Sequence, residues 1–178
     1  QAARAPVDGG RVWLAWLAGL ASLAWCRVAA LSWVAAVVLP PGVFPYERIV
    51  RFHEVDPAGL LFFPHFLTYA HEAMERLFDP LEGGYCRLVT ERRIGLPAVS
   101  LHTDFRAPLR YGDTTVVETC VARLGNRSLT LRYDFVRASD RVIAAELHHT
   151  VVTTDLALMK SCPMPDDVRG VAQAHLVG

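Results

Sequence analysis

The chain has 178 residues, 52% of them hydrophobic and 20% charged, and a formal net charge of +0. That length suits one domain with an extension, and the apolar content suffices for a sizeable core. Zero net charge removes the sequence-independent attraction that nucleic acid offers basic proteins, and four scattered cysteines without a CxxC pair give neither metal-ligand spacing nor a disulfide framework.

From Val12 to Leu39 the only charge is Arg27, in a run of Ala, Leu and Val with Trp13, Trp16, Trp25 and Trp33. A membrane span needs about 20 apolar residues, and an arginine near its middle costs about 2.5–3.5 kcal/mol on insertion scales. Three readings stand side by side: a membrane anchor across residues 12–39, a spurious upstream extension (the chain lacks an initiator Met), or an apolar helix packed on the domain or a partner. Arg4 and Arg11 before the run also allow a cleaved signal peptide. Pro40-Pro41-Gly42 marks the boundary, giving an extension at 1–42 and a domain at 43–178.

Tyr46 to Phe52 reads as the first strand. Asp56-Pro57-Ala58-Gly59 is a turn, Leu60 to Phe63 an apolar run, and Pro64 to Phe78 a helix. Pro64 suits the first helical turn. Phe66, Ala70, Ala73, Met74 and Leu77 recur at helical spacing and form one apolar face. Asp79-Pro80 ends the helix and Glu82-Gly83-Gly84 begins a loop. Four strands follow: Ala98 to Ala107, Thr114 to Leu124, Ser128 to Arg137 and Val142 to Thr154. Turns at Tyr111-Gly112-Asp113, Gly125-Asn126 and Ala138-Ser139-Asp140 separate them. In the third of these strands Leu129, Leu131, Tyr133 and Phe135 share one face. The order is one strand, one helix, then four strands in a meander. A sheet with one apolar face needs a cover, and the single helix supplies it. The fold class is α+β, an antiparallel five-stranded sheet wrapped around one long central helix, with an apolar N-terminal helical extension.

Asp56 is the main candidate for chemistry. An aspartate before Pro and Gly ordinarily bonds to its own backbone. One placed just before a helix N-terminus also stands beside unpaired N–H groups and a partial positive charge, where a carbonyl could be polarised and attacked. His71-Glu72-Ala73-Met74-Glu75 is not HExxH, so a zinc protease is excluded. His65 and Glu72 lie seven residues apart, about two turns, and share a helix face. A solvated face with a Glu72–Arg76 pair accounts for them. One of Phe62 and Phe63 is expected in the core. His148 and His149 point to opposite faces of a strand, so at most one enters the core.

Phe52, Asp56-Pro57-Ala58-Gly59, Leu60-Leu61-Phe62-Phe63 and Pro64 together resemble the hotdog-fold thioesterases, in particular the 4-hydroxybenzoyl-CoA thioesterase-like group. Gly95-Leu96-Pro97-Ala98-Val99-Ser100 is similar to the block that opens that family's second strand. The resemblance covers Tyr46 to Val168. It implies the hotdog fold and hydrolysis of an aromatic or medium-length acyl-CoA, with no metal or cofactor beyond CoA itself. By the same resemblance Asp56 attacks the thioester or directs a water, the Phe63 N–H binds the carbonyl oxygen, and Gly59 allows the turn beside the substrate. The family often has Tyr or His where this chain has Phe63. A second branch carries its catalytic Glu on the central helix, which makes Glu72 the runner-up acid. A hotdog dehydratase pairs a His with an acid, which brings in His65, but an acid ahead of the helix favours hydrolysis. Arg123, Arg127 and Arg141 are the candidate phosphate ligands of CoA. The family implies a homodimer or homotetramer built by edge pairing, with the site at the interface. CoA thioesters place the protein in the cytoplasm, which disfavours the signal peptide. The rival readings are an acyl-carrier-protein thioesterase and a membrane-tethered hotdog module that binds acyl groups without turnover.

Overall fold

A computed structural model describes residues 39–177. The anchor, extension, packed-helix and signal-peptide readings fall on residues outside that range. Among the described residues no helix is long and apolar enough to cross a membrane.

The chain runs β1 (Phe44–Ile49), α1 (Pro64–Leu77), α2 (Gly84–Thr90), β2 (Ile94–Gly95), β3 (Ala98–Phe105), β4 (Thr114–Leu124), β5 (Ser128–Arg137), β6 (Ile143–Val152), β7 (Thr154–Asp155), β8 (Lys160–Ser161) and α3 (Asp166–Ala174). A single 3-10 turn occupies Phe52–Glu54. Five strands form one antiparallel sheet in the order β1-β4-β5-β6-β3, and β2-β7-β8 form a small second sheet. This is the expected hotdog architecture, with α1 as the filling. Phe66, Ala70, Ala73, Met74 and Leu77 are all buried, and Tyr69 joins them. They pack in one core with Leu129, Leu131, Tyr133 and Phe135 of β5. Burying each large apolar side chain there contributes about 1.5–3 kcal/mol. His149 is buried and His148 is not, as strand alternation requires.

The meander is corrected in one respect. β4, β5 and β6 are consecutive neighbours, but β3 lies at the far edge and pairs with β6, not β4. The connection between β3 and β4 does not close a hairpin because its backbone is used elsewhere. Leu109 C=O accepts the Leu61 N–H at 2.8 Å, and Asp113 C=O accepts the Val50 N–H at 2.9 Å. The loop therefore crosses the end of the sheet and clamps the segment from Val50 to Leu61. For the same reason β1 stops at Ile49 rather than Phe52. It also starts earlier, at Phe44, and takes in Pro45. A proline is tolerated there because β1 pairs with β4 alone and is an edge strand.

Further features were not expected. The segment after Gly83 forms α2, where the sequence reading gave a loop. β6 ends at Val152, because the Thr153 N–H turns to the Arg127 C=O at 2.7 Å, and the chain then enters the small sheet. α3 buries Val168 and Ala172, and the residues after it bond to Val121 of β4 on both sides. Strand β3 is exposed along nearly its whole length, and its apolar residues Val99, Leu101 and Phe105 are exposed too, with Val99 60% exposed. It is the open edge of the sheet.

Candidate active site

Residues 54–62 form a tight hairpin. Glu54 C=O accepts the Phe62 N–H at 2.9 Å, Leu60 C=O accepts the Asp56 N–H at 2.8 Å, and Asp56 C=O accepts the Gly59 N–H at 2.9 Å. At the tip, Asp56 Oδ1 accepts the Ala58 N–H at 2.8 Å and the Leu60 N–H at 3.2 Å. The ordinary turn role of this aspartate is thus real, but it uses one oxygen. Among the described residues no hydrogen bond reaches Oδ2. Gly59 has φ +75° and open space where a Cβ would stand, so glycine serves the backbone conformation and not a tight fit.

The hairpin delivers the chain to the start of α1. Phe63 is already helical in φ and ψ, and no side chain caps it. Pro64 has no N–H. The His65 and Phe66 N–H groups donate to Phe62 C=O and Phe63 C=O at 2.9 and 3.2 Å. Among the described residues the Phe63 N–H has no acceptor. Asp56 and Phe63 line the same cleft of about 530 Å³, walled also by Leu60, Leu61, Phe62, Phe66, Phe105, Pro108 and Leu109 with Arg106 at its side. That volume is of ligand-pocket size. Neither Phe62 nor Phe63 is a core residue, against expectation. They meet edge to face at 5.0 Å and are exposed, Phe63 by 59%. They turn outward because Phe66, one helical step on, already fills the core between Phe105 and Phe135. A second hollow of about 580 Å³ is lined by Tyr46, Glu72, Glu75, Arg76, Asp79 and Tyr85. Its walls are mostly charged, which makes it the poorer candidate.

The runner-up residues do not reach the cleft. Glu72 faces β1, where its Oε2 accepts from Arg48 Nε and from the Tyr46 hydroxyl, both at 2.9 Å. It does not pair with Arg76, which turns to Asp79 at 3.3 Å. A neighbouring strand with an arginine at the right height outcompetes the exposed intrahelical pair. His65 stands beside the Phe62 ring, centroids 6.3 Å apart. Arg141 closes the β5–β6 turn and pairs with Glu118 at 2.6 Å. The cleft is at that end of the sheet, since Phe105 pairs with Ala145 and Ala145 with Phe135. Arg123 and Arg127 are at the opposite end, near Leu124 and Leu129. The structure therefore separates the three arginines. Among the described residues no group of three or more His, Cys, Asp or Glu side chains gathers to hold a metal ion.

Sequence reading missed a buried acid two residues before Asp56. Glu54 is 2% exposed. Its Oε2 accepts from the Tyr69 hydroxyl and the Arg51 N–H, both at 2.6 Å, and its Oε1 from Arg48 Nη2 at 3.1 Å. The Arg48 guanidinium carbon also lies 4.9 Å from the centre of the Tyr69 ring. Burial pushes the Glu54 carboxyl up, but the Tyr69 hydroxyl, the Arg51 N–H and the Arg48 charge outweigh it and hold the group below its ordinary 4.5. A carboxyl held low in the fold contributes stability above its unfolded pKa and loses it as pH falls through the lower folded value. The stability advantage of wild type over Glu54→Gln is therefore expected to be full at neutral pH and to shrink on acidification below 4.5. Urea midpoints across a pH series check this, and an advantage that stays constant into acid contradicts it.

Residues 50–171 match the family described as the thioesterase-like superfamily. A 1,4-dihydroxy-2-naphthoyl-CoA hydrolase from Prochlorococcus marinus is 29% identical over 132 residues, covering 68% of this chain and 82% of that protein. The crystal structure of a 1,4-dihydroxy-2-naphthoyl-CoA thioesterase from Synechocystis superposes with a TM-score of 0.68 at 26% identity, over 74% of this chain and 96% of the other. A gentisyl-coenzyme A thioesterase structure superposes with a TM-score of 0.64 at 27% identity, over 71% and 99%.

Proposed function

Because this chain belongs to the thioesterase-like superfamily, we propose that it hydrolyses aromatic acyl-CoA thioesters to the free acid and CoA, with Asp56 as nucleophile or general base. One observation carries the reading: Asp56, with one carboxylate oxygen unbonded, and Phe63, whose N–H has no acceptor among the described residues, line a single cleft with aromatic walls. The thioester carbonyl lies with its oxygen on the Phe63 N–H and the positive end of α1. A backbone donor of this kind is worth about 10²–10³ in rate. Oδ2 of Asp56 is the reacting oxygen, since Oδ1 is held by Ala58 and Leu60. It either adds to the carbonyl carbon, expelling CoA thiolate and leaving an anhydride for water to cleave, or takes a proton from a water that adds instead. Either route uses only an acid, water and a backbone N–H, so no metal or cofactor is called for, and CoA enters as part of the substrate. Such a substrate places the work in the cytoplasm.

The relatives named for naphthoyl and gentisyl thioesters support an aromatic acyl group, as do the rings of Phe62, Phe63, Phe66 and Phe105. The open edge at β3 supports assembly. Two copies joined antiparallel along β3 would set the Ala98 end of one against the Phe105 end of the other. The Arg123–Arg127 turn shares the Ala98 level, because Ala98 pairs with Val151, Val151 with Leu129 and Leu129 with Leu124. An arginine-bearing turn from the partner would then reach the cleft end, where it could hold the CoA phosphates.

The test is free-thiol release by the full chain from 1,4-dihydroxy-2-naphthoyl-, gentisyl-, 4-hydroxybenzoyl-, benzoyl-, phenylacetyl- and straight-chain acyl-CoAs, and from one acyl-carrier-protein thioester. Aromatic acyl-CoAs are expected to lead straight-chain ones by about tenfold or more in kcat/KM. Equal turnover of straight chains overturns the aromatic preference. Turnover confined to the carrier protein replaces the CoA substrate, and no thiol from any of them overturns the hydrolase reading.

A further inference from the structure

We propose that Glu54 is a positioning residue, whose buried side chain ties the hairpin carrying Asp56 to the helix presenting the Phe63 N–H and so fixes the spacing of those two groups. The proposal rests on the thioesterase reading above. Glu54 is bonded in four directions at once. Arg48 reaches it from β1 at 3.1 Å, the Arg51 N–H from the chain entering the hairpin at 2.6 Å, and the Tyr69 hydroxyl from the second turn of α1 at 2.6 Å. Its own C=O holds the Phe62 N–H at 2.9 Å, one residue before Phe63. Asp56 follows two residues later, inside the loop these bonds close.

The chemistry of the pair makes it a stiff tie. Tyr69 is fully buried. Its burial and the neighbouring Glu54 carboxylate both push the phenol upward, so it remains a donor at any working pH. Charge-assisted O–H···O⁻ bonds are short and strong, and they fix direction as well as distance. A buried carboxylate is an expensive way to gain stability, because a well-packed apolar pair of similar volume often serves as well or better. What it adds is a defined geometry. Catalysis is sensitive to that, since a misplacement of about 1 Å costs about 10²-fold in rate.

The experiment compares wild type, Tyr69→Phe and Glu54→Gln, each alone and in an Asp56→Asn background, as full chains at a temperature where circular dichroism shows all of them folded. The substrate is the acyl-CoA that wild type turns over best. Tyr69→Phe keeps the ring and its packing while removing the tie, so it remains readable if Glu54→Gln fails to fold. The expected result is a kcat loss of about 10–100-fold for Tyr69→Phe with KM changed less than about threefold. In the Asp56→Asn background the same change is expected to remove less than about a further twofold, because it acts through Asp56. A lowered melting temperature with kcat of the folded protein unchanged overturns the proposal, as does a full, additive loss in the Asp56→Asn background. If wild type releases no thiol, the thioesterase reading fails and takes the proposal with it. If wild type turns over and Tyr69→Phe matches it, only the positioning role fails.

Discussion

Asp56→Asn is expected to lower kcat by about 10²–10⁴-fold with the fold intact. The substitution separates the turn role of this side chain from its proposed catalytic one. The Asn carbonyl oxygen can still accept the Ala58 and Leu60 N–H groups that hold the hairpin tip, so stability should stay within about 0.5 kcal/mol of wild type. The amide can neither take a proton from water nor attack a carbonyl, so the chemistry goes. Residual activity over water then reports what the Phe63 N–H and binding contribute alone. Asp56→Ala, by contrast, deletes both turn bonds and should cost stability as well, about 0.5–1.5 kcal/mol per bond. Thiol release and thermal melts on the three proteins check this together. Wild-type turnover by the Asn variant would move the reaction away from the hairpin. Glu72 could take it over only by leaving Arg48 and Tyr46.

The largest stability effect is expected at Phe66, where Ala should cost about 3–5 kcal/mol. The ring is buried and meets Phe105 and Phe135 edge-on, with centroids 5.2 and 5.1 Å away. Each such pair adds about 0.5–1.5 kcal/mol beyond the area it buries. In a domain of this size the loss should appear as a melting temperature lower by about 10 °C or more. Phe66 also borders the cleft, so truncation deepens the cleft toward Phe135. Phe66→Leu, which keeps more of the volume, should be milder in stability and shift preference toward bulkier acyl groups. Urea unfolding of the Ala variant decides the first point, and a cost below about 1 kcal/mol would mean that the core closes over the gap.

Much of the fold was legible because its signals are local. The helix announced itself by Pro64 and the spacing of Phe66, Ala70, Ala73, Met74 and Leu77, β4 by its β-branched residues and β5 by alternation, each between turn residues. The position of β3 was not legible. Alternation shows that a strand has two faces but not which neighbour it pairs with. Here the choice was made by backbone bonds of Leu109 and Asp113 to Leu61 and Val50, which no side-chain pattern encodes. The DPAG turn and the helix start pointed to Asp56 and the Phe63 N–H. One of Phe62 and Phe63 was expected in the core, yet both are exposed and Phe66 has the place. Glu54 escaped notice because an acid beside a turn ordinarily faces water, and only the contact with Tyr69, 15 positions on, buries it. Arg106 at the cleft was equally hidden, since the crossing of the β3–β4 loop sets its position.

The two edges of the main sheet are unlike. β3 has one irregularity near its start, between Ala98 and Ser100, but an N–H at every position, whereas the outer row of β1 is interrupted at Pro45, which has no N–H to give. A row with such a gap is a poor template for another strand. In the dimer proposed above, pairing through β3 would use the same edge on both molecules and leave the proline-bearing margin of the main sheet at either end. Growth would therefore terminate at two sheets. A main sheet with an unbroken β1 would offer a second edge to further copies, and Pro45 would act as a stop against that growth.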